Sequence, residues 1–188
     1  VTEHTGVDLS GREPRILIYH THATEAYRQV PGEEYEESSQ WRTADPGHSI
    51  IAVGALLAET LEQQYGIAVL HDTTNHEPPK LSTSYSRSVK TMEKYRRDYP
   101  SITMYIDVHR DAYGSGDSGK NDFVVIDGKE VARLMFVVGT GEGATGTGFG
   151  EMPDFQSNYA LAKHLSEHLN DTRAGLARNI RVKTGRYN

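Results

Sequence analysis

Short apolar runs alternate with segments whose apolar residues recur every three or four positions. Ile16-Leu17-Ile18-Tyr19 is a compact run that predicts a strand over 16–20. Asp45-Pro46 then reads as the start of a helix, an acidic cap followed by proline in the first turn. Ile50, Val53, Gly54, Leu57 and Leu61 follow at helical spacing, and Gly66 closes the segment. Ile67 to Leu70 predicts a second strand, and a loop from His71 to Ser82 is broken by Pro78-Pro79. A helix from about Ser84 to Asp98 sets Tyr85, Val89, Met92 and Tyr99 near one face, stopped by Pro100. A third strand covers 103–108. Phe123 to Ile126, Asp127-Gly128 and Val131 to Val138 read as a hairpin on an Asp-Gly turn. The last helix runs from Pro153 to about Asn170, with Phe155, Tyr159, Ala162, Leu165 and Leu169 as its apolar positions.

Strands alternating with helices, plus one hairpin, predict an α/β fold with a mixed, mostly parallel sheet flanked by helices. Residues 1–14 are polar and end in Pro14, which suits a linker; 15–188 suits a single catalytic domain. The stretch Gly32 to Ser39 is hydrophilic and reads as a solvated loop.

Composition narrows the chemistry. There is no cysteine among the 188 residues, which removes thiolate ligands, disulfides and a cysteine nucleophile. Any metal must be held by nitrogen and oxygen, as suits a catalytic zinc. The 26 acidic against 20 basic residues give a net charge of -6, which disfavours general nucleic-acid binding. No apolar stretch is long enough to cross a bilayer. The opening Val1-Thr2-Glu3 suggests a processed fragment, leaving room for an anchor upstream.

Two predicted strands end in histidine beside carboxylate. The first runs into His20-Thr21-His22-Ala23-Thr24-Glu25, and the third into His109-Arg110-Asp111. Sites in open α/β sheets form beyond the carboxyl ends of strands. His22, Glu25 and His109 are therefore the candidate ligands of a zinc ion that activates water. Asp107 shares a strand face with His109, so Asp107 or Asp111 is placed to orient that ring. His20 or Arg110 is the candidate donor to an oxyanion. Asp45 is an alternative to Glu25 as the carboxylate ligand, and His48 in the same turn is a lesser candidate. His164 and His168 lie four apart with Glu167 between them, but the order is not His-Glu-x-x-His, which favours surface histidines. The loop Tyr113 to Gly119 lacks the following helix and lysine of a phosphate loop, and no Gly-x-Ser-x-Gly elbow is present.

These residues lie within segments that resemble the stage II sporulation protein P family. The segments are Ile16-Leu-Ile-Tyr-His-Thr-His-Ala-Thr-Glu-Ala-Tyr27, His71-Asp-Thr-Thr-Asn-His76 and Ser84-Tyr-Ser-Arg-Ser88. They continue as Ile106-Asp-Val-His-Arg-Asp111, Phe136-Val-Val-Gly-Thr-Gly-Glu142, Asn158-Tyr-Ala-Leu-Ala162 and Lys183-Thr-Gly-Arg-Tyr-Asn188. The resemblance implies a zinc-dependent N-acetylmuramoyl-L-alanine amidase with a zinc-exopeptidase, cell-wall-amidase type of fold, and endopeptidase activity on peptidoglycan crosslinks. It also implies action during engulfment with sporulation proteins D and M, at the membrane and outside the mother-cell cytoplasm.

In that family a further strand, of the Leu-Ile-Glu-Val-Gly kind, follows the Arg-Tyr-Asn segment, and its glutamate looks like the general base. The expectation is a fragment without that strand, and the loss of a positioned base costs roughly 10²–10⁴-fold in rate. Two other readings compete. A zinc carboxypeptidase-like peptidase shares the His-x-x-Glu pattern and would use Arg110 as a carboxylate clamp. A non-catalytic wall-binding scaffold would bind without cleaving. The glycine-rich loops 113–120 and 139–150 are expected to border a substrate groove.

Overall fold

The computed structural model describes residues 7–111, 122–141 and 154–184. The chain divides into two compact units, one of residues 7–111 and one that takes in everything from residue 112 onward. The architecture is mixed α/β, with three helices and seven short strands among the described residues.

The first unit is built on strands β1 (Ile16–Tyr19), β2 (Val69–His71) and β3 (Met104–Asp107). They form a parallel sheet in the order β2-β1-β3. All four residues of β1 are essentially fully buried, as a central parallel strand covered on both faces should be. Full burial of each such aliphatic side chain contributes about 1.5–3 kcal/mol. Helix α1 (Ile50–Tyr65) connects β1 to β2, and α2 (Ser84–Asp98) connects β2 to β3. The two crossovers step in opposite directions across the sheet, so the right-handed rule puts the helices on opposite faces. Ile16, Ile18, Ala58 and Val69 form the core cluster under α1, with Leu57, Leu61, Met104 and Ile106 packed on it. Leu9, from the segment that reads as a linker, joins them.

Helix α1 begins later than Asp45-Pro46 predicts. Ser49 is its N-cap, accepting from the Ile51 N–H, because residues 49 and 50 are already bound elsewhere. Ala26 bridges Ser49, and the Ile50 N–H donates to the Glu25 carbonyl at 2.7 Å. Asp45 instead folds a tight local turn, accepting from the Gly47 N–H at 2.8 Å. Ile50, Gly54 and Ala58 form the buried stripe of α1, while Val53 points outward.

In the second unit, β4 (Phe123–Ile126) and β5 (Lys129–Ala132) make the expected hairpin. Asp127 and Gly128 both take positive φ, 50° and 78°, as a type I′ turn requires. The predicted second arm through Val138 is interrupted, however. Residues 137–139 form β6 and pair in parallel with β7 (Arg181–Lys183), so they leave the hairpin for a distant partner. The strands therefore divide into three small sheets rather than one mixed sheet. Helix α3 (Phe155–Thr172) is capped by Asp154, which accepts from the Ser157 N–H at 3.1 Å. His164 and His168 are exposed on it. No described helix is long and apolar enough to cross a membrane. The glycine-rich loops expected to border a groove fall mainly outside the described residues.

Candidate active site at the ends of strands β1 and β3

In the order β2-β1-β3 the chain reverses direction across the sheet between β1 and β3, which is where open α/β sheets form crevices. His22 and Glu25 follow β1, and His109 follows β3. The rings of His22 and His109 meet edge to face with centroids 5.5 Å apart. Tyr85, in the first turn of α2, stands 5.5 Å from His22 and 6.3 Å from His109.

Glu25 is held by its own backbone. Its N–H bonds the His22 carbonyl at 3.2 Å, and the Ala26 N–H bonds Trp41 O at 2.9 Å. One carboxylate oxygen accepts from the Arg110 backbone N–H at 2.8 Å and lies 3.4 Å from His109 Nδ1. The other faces Arg42 Nη2 at 3.6 Å. Asp45 is the carboxylate that the structure leaves elsewhere, paired with His48 Nδ1 at 2.8 Å.

Asp107 is the buried partner of His109, whose Nε2 donates to Oδ2 at 2.9 Å. The same carboxylate accepts from the Thr21 N–H at 2.9 Å and the Thr21 hydroxyl at 2.6 Å. Burial alone would raise Asp107, but these donors and His109 hold it below the usual carboxylate value. Burial alone would lower His109; Asp107 and Glu25 outweigh it and push the imidazole up to about 10.

Glu77 is a second carboxylate in the site, unforeseen in the sequence. It accepts from the hydroxyl of Thr24 and from Arg42 Nη1, and lies 3.5 Å from His22 Nδ1. Its burial would raise it, yet the His22 ring, Thr24 and Arg42 facing it hold it low. Arg42 thus serves both Glu25 and Glu77. His22 Nδ1 itself is buried without a hydrogen-bond partner.

His20 is fully buried between Val108 O, 3.1 Å from Nδ1, and His71 Nε2, 2.9 Å from Nε2. The Arg110 guanidinium donates to Ala26 O at 2.8 Å and to Trp41 O at 2.7 Å, and lies over the Trp41 ring at 5.8 Å. That use secures Trp41, whose φ of 56° is unusual for a bulky residue. It also occupies the side chain that a carboxypeptidase would use as its clamp. Asp111 is exposed.

The donor chemistry fits a zinc ion on two counts. Two ligands of a tetrahedral ion, each at about 2.0–2.1 Å, lie roughly 3.4 Å apart, and His109 Nδ1 and Glu25 Oε2 are separated by 3.4 Å. His22 Nδ1, which has no hydrogen-bond partner and faces Glu77 Oε1 at 3.5 Å, is a further nitrogen on the cleft that Glu25 also lines. No three of the described His, Asp and Glu side chains converge as they stand on one point that would hold an ion. Beside His22 and Glu25 opens a cleft of about 560 Å³, bounded by Arg42, Lys80, Leu81, Ser82 and Tyr85.

Arg42, Glu77 and Lys80 carry no motif spacing that could have flagged them. Tyr85 lies within the Ser84 to Ser88 segment, and Glu77 just beyond the His71 to His76 segment, which are the signals the sequence offers.

A family model described as stage II sporulation protein P matches residues 2–188. The chain is 25% identical over 177 residues to the stage II sporulation protein P of Bacillus subtilis (strain 168), covering 91% of this chain and 40% of that protein. It therefore spans about two fifths of that relative's length. No solved structure matches it.

Proposed function

The chain belongs to the stage II sporulation protein P family, and from that membership we propose that it is a zinc-dependent hydrolase of peptidoglycan acting in sporulation. The bond cleaved is the amide between N-acetylmuramic acid and L-alanine, with peptide crosslinks as a second target. The observation that carries this reading is the meeting of His22, Glu25 and His109 beyond β1 and β3, with His109 Nδ1 and Glu25 Oε2 at tetrahedral donor spacing.

These three residues would hold the metal. A zinc ion held there would supply a water of pKa near about 7 and a Lewis acid for the amide carbonyl. The protein's own side chains do the rest. Asp107 holds the Nε2 proton of His109 and so presents Nδ1 towards Glu25. The Arg110 N–H and Arg42 fix the Glu25 carboxylate. Arg42 also neutralises Glu77, which keeps two carboxylates together beside the cleft. His20 and the Arg110 guanidinium hold the strand ends and the 26–41 backbone from behind. The same family membership supports an extracytoplasmic, membrane-associated setting with sporulation proteins D and M as partners.

The test is digestion of purified cell wall by the zinc-loaded protein, in a form extended beyond Asn188. Mass spectrometry should find whole stem peptides with a new L-alanine amino terminus. Release of single carboxyl-terminal residues would instead establish a carboxypeptidase. Wall binding with one zinc per chain and no released peptide would leave a scaffold.

A further inference from the structure

The cleft beside the histidines holds a cation that its own carboxylates do not use. Glu25 and Glu77 share Arg42, and Glu25 also accepts from the Arg110 N–H. Asp107 is matched by His109. Lys80 lines the same cleft, yet its ammonium has no ion pair or hydrogen bond among the described residues. The neighbouring Ser82 hydroxyl is unbonded in the same sense.

The backbone beneath that ammonium is firmly held. The Lys80 carbonyl accepts from the Thr83 N–H at 3.1 Å, the Thr83 hydroxyl at 2.9 Å and Arg87 Nη2 at 2.7 Å. The Arg87 guanidinium also binds the carbonyls of His76 and Glu77, so one side chain pins the loop from 76 to 80. A fixed stem with a free head group differs from a lysine on a frayed loop. Leu81 and Tyr85, beside Lys80, add apolar surface to the same wall, and Leu81 is 48% exposed. The cleft is open to solvent, and its volume of about 560 Å³ can admit a short peptide segment.

A cation, a hydroxyl and an apolar patch beside the reacting centre select a short anionic peptide. We propose that this cleft receives the peptide side of the substrate. Lys80 and Ser82 bind a carboxylate one or two residues from the scissile amide, while Leu81 and Tyr85 cover the small side chain between. The inference rests on the hydrolase reading for the identity of that peptide. In a stem peptide the residue after L-alanine is a γ-linked glutamyl unit, whose α-carboxylate is either free or amidated. The cleft then distinguishes the two forms by charge.

Calorimetry on the metal-free chain separates binding from turnover. The probes are N-acetylmuramoyl-L-alanyl-D-glutamate and its D-isoglutamine counterpart, which differ in that one carboxylate. The wild type should bind the acid about fivefold more tightly, the upper end for a partly exposed ion pair. Lys80→Arg should keep the preference and Lys80→Met should abolish it. Equal affinities in the wild type, an undiminished preference in Lys80→Met, or no binding of either probe would each overturn the proposal. A wall digest that releases no peptide, alongside a Lys80-dependent acid preference, would remove the hydrolase reading and leave the subsite standing.

Discussion

His20 and His71 face each other nitrogen to nitrogen, Nε2 to Nε2, at 2.9 Å. His20 Nδ1 is committed to donating to Val108 O, so its Nε2 must accept and His71 Nε2 must donate. The pair ties the end of β1 to the end of β2. Both imidazoles are held below their usual value, His20 by burial and then by His71, and His71 by burial. The arrangement needs a neutral His20, whose Nε2 must stay free to accept.

Helix α1 passes over this pair at Gly54, where a Cβ would sit 2.6 Å from His20 Cε1 and Nε2 and 2.8 Å from His71 Nε2. Gly54→Ala should therefore destabilise the chain by about 1–3 kcal/mol, although alanine is the better helix former. Urea unfolding checks it. An unchanged or raised midpoint would mean that the helix can move away without cost.

The pair also sets a pH dependence. A histidine whose folded value is lowered contributes stability that is fully present above the unfolded value of about 6.5 and is lost as pH falls below it. His71→Gln keeps a donor for His20 but removes one such titration. Its melting temperature should fall less steeply than that of the wild type between about pH 7 and pH 5. Parallel slopes would show that His71 does not sense the fold.

Arg42 links two carboxylates of the site. Its Nη2 faces Glu25 Oε1 at 3.6 Å while Nη1 binds Glu77 and the Thr24 hydroxyl, the latter at 3.0 Å. Both carboxyl groups are nearly buried, so Arg42→Met should cost about 3 kcal/mol by leaving them without a shared cation. Arg42→Lys should recover only part of that, because one ammonium cannot match the fork. Chemical denaturation of the three proteins decides, and equal stability would show that the network is solvated.

The strand ends were legible in the sequence because β1 and β3 are short apolar runs stopped by histidine, and register then brings them together. Tyr19 pairs with Asp107, so residues just beyond each strand become neighbours. The Asp127-Gly128 hairpin was legible for a local reason, its turn chemistry. What stayed hidden depends on distant partners. The start of α1 shifts because Glu25 and Ala26 capture Ile50 and Ser49. β7 is only three residues long, too short for its alternation to stand out, and its pairing partner β6 lies more than forty residues away in the chain. Arg42, Glu77 and Lys80 look like ordinary surface charges until the fold gathers them.

Asp107 carries the last prediction, since it touches the site only through His109. Its carboxylate accepts from Thr21 twice and from His109 Nε2, and by holding that proton it leaves Nδ1 facing Glu25. Asp107→Asn preserves size but turns one acceptor oxygen into a donor. Either the amide opposes the His109 N–H or it surrenders a bond from Thr21. The ring then loses its fixed tautomer, and if zinc is held by His109 as proposed, its affinity should fall roughly 10–100-fold. Chelator competition measures this directly, with Asp111→Asn as the control that should leave affinity unchanged. If the Asp111 variant loses zinc and the Asp107 variant retains it, the orienting role belongs to the wrong carboxylate and the register argument for β3 falls with it.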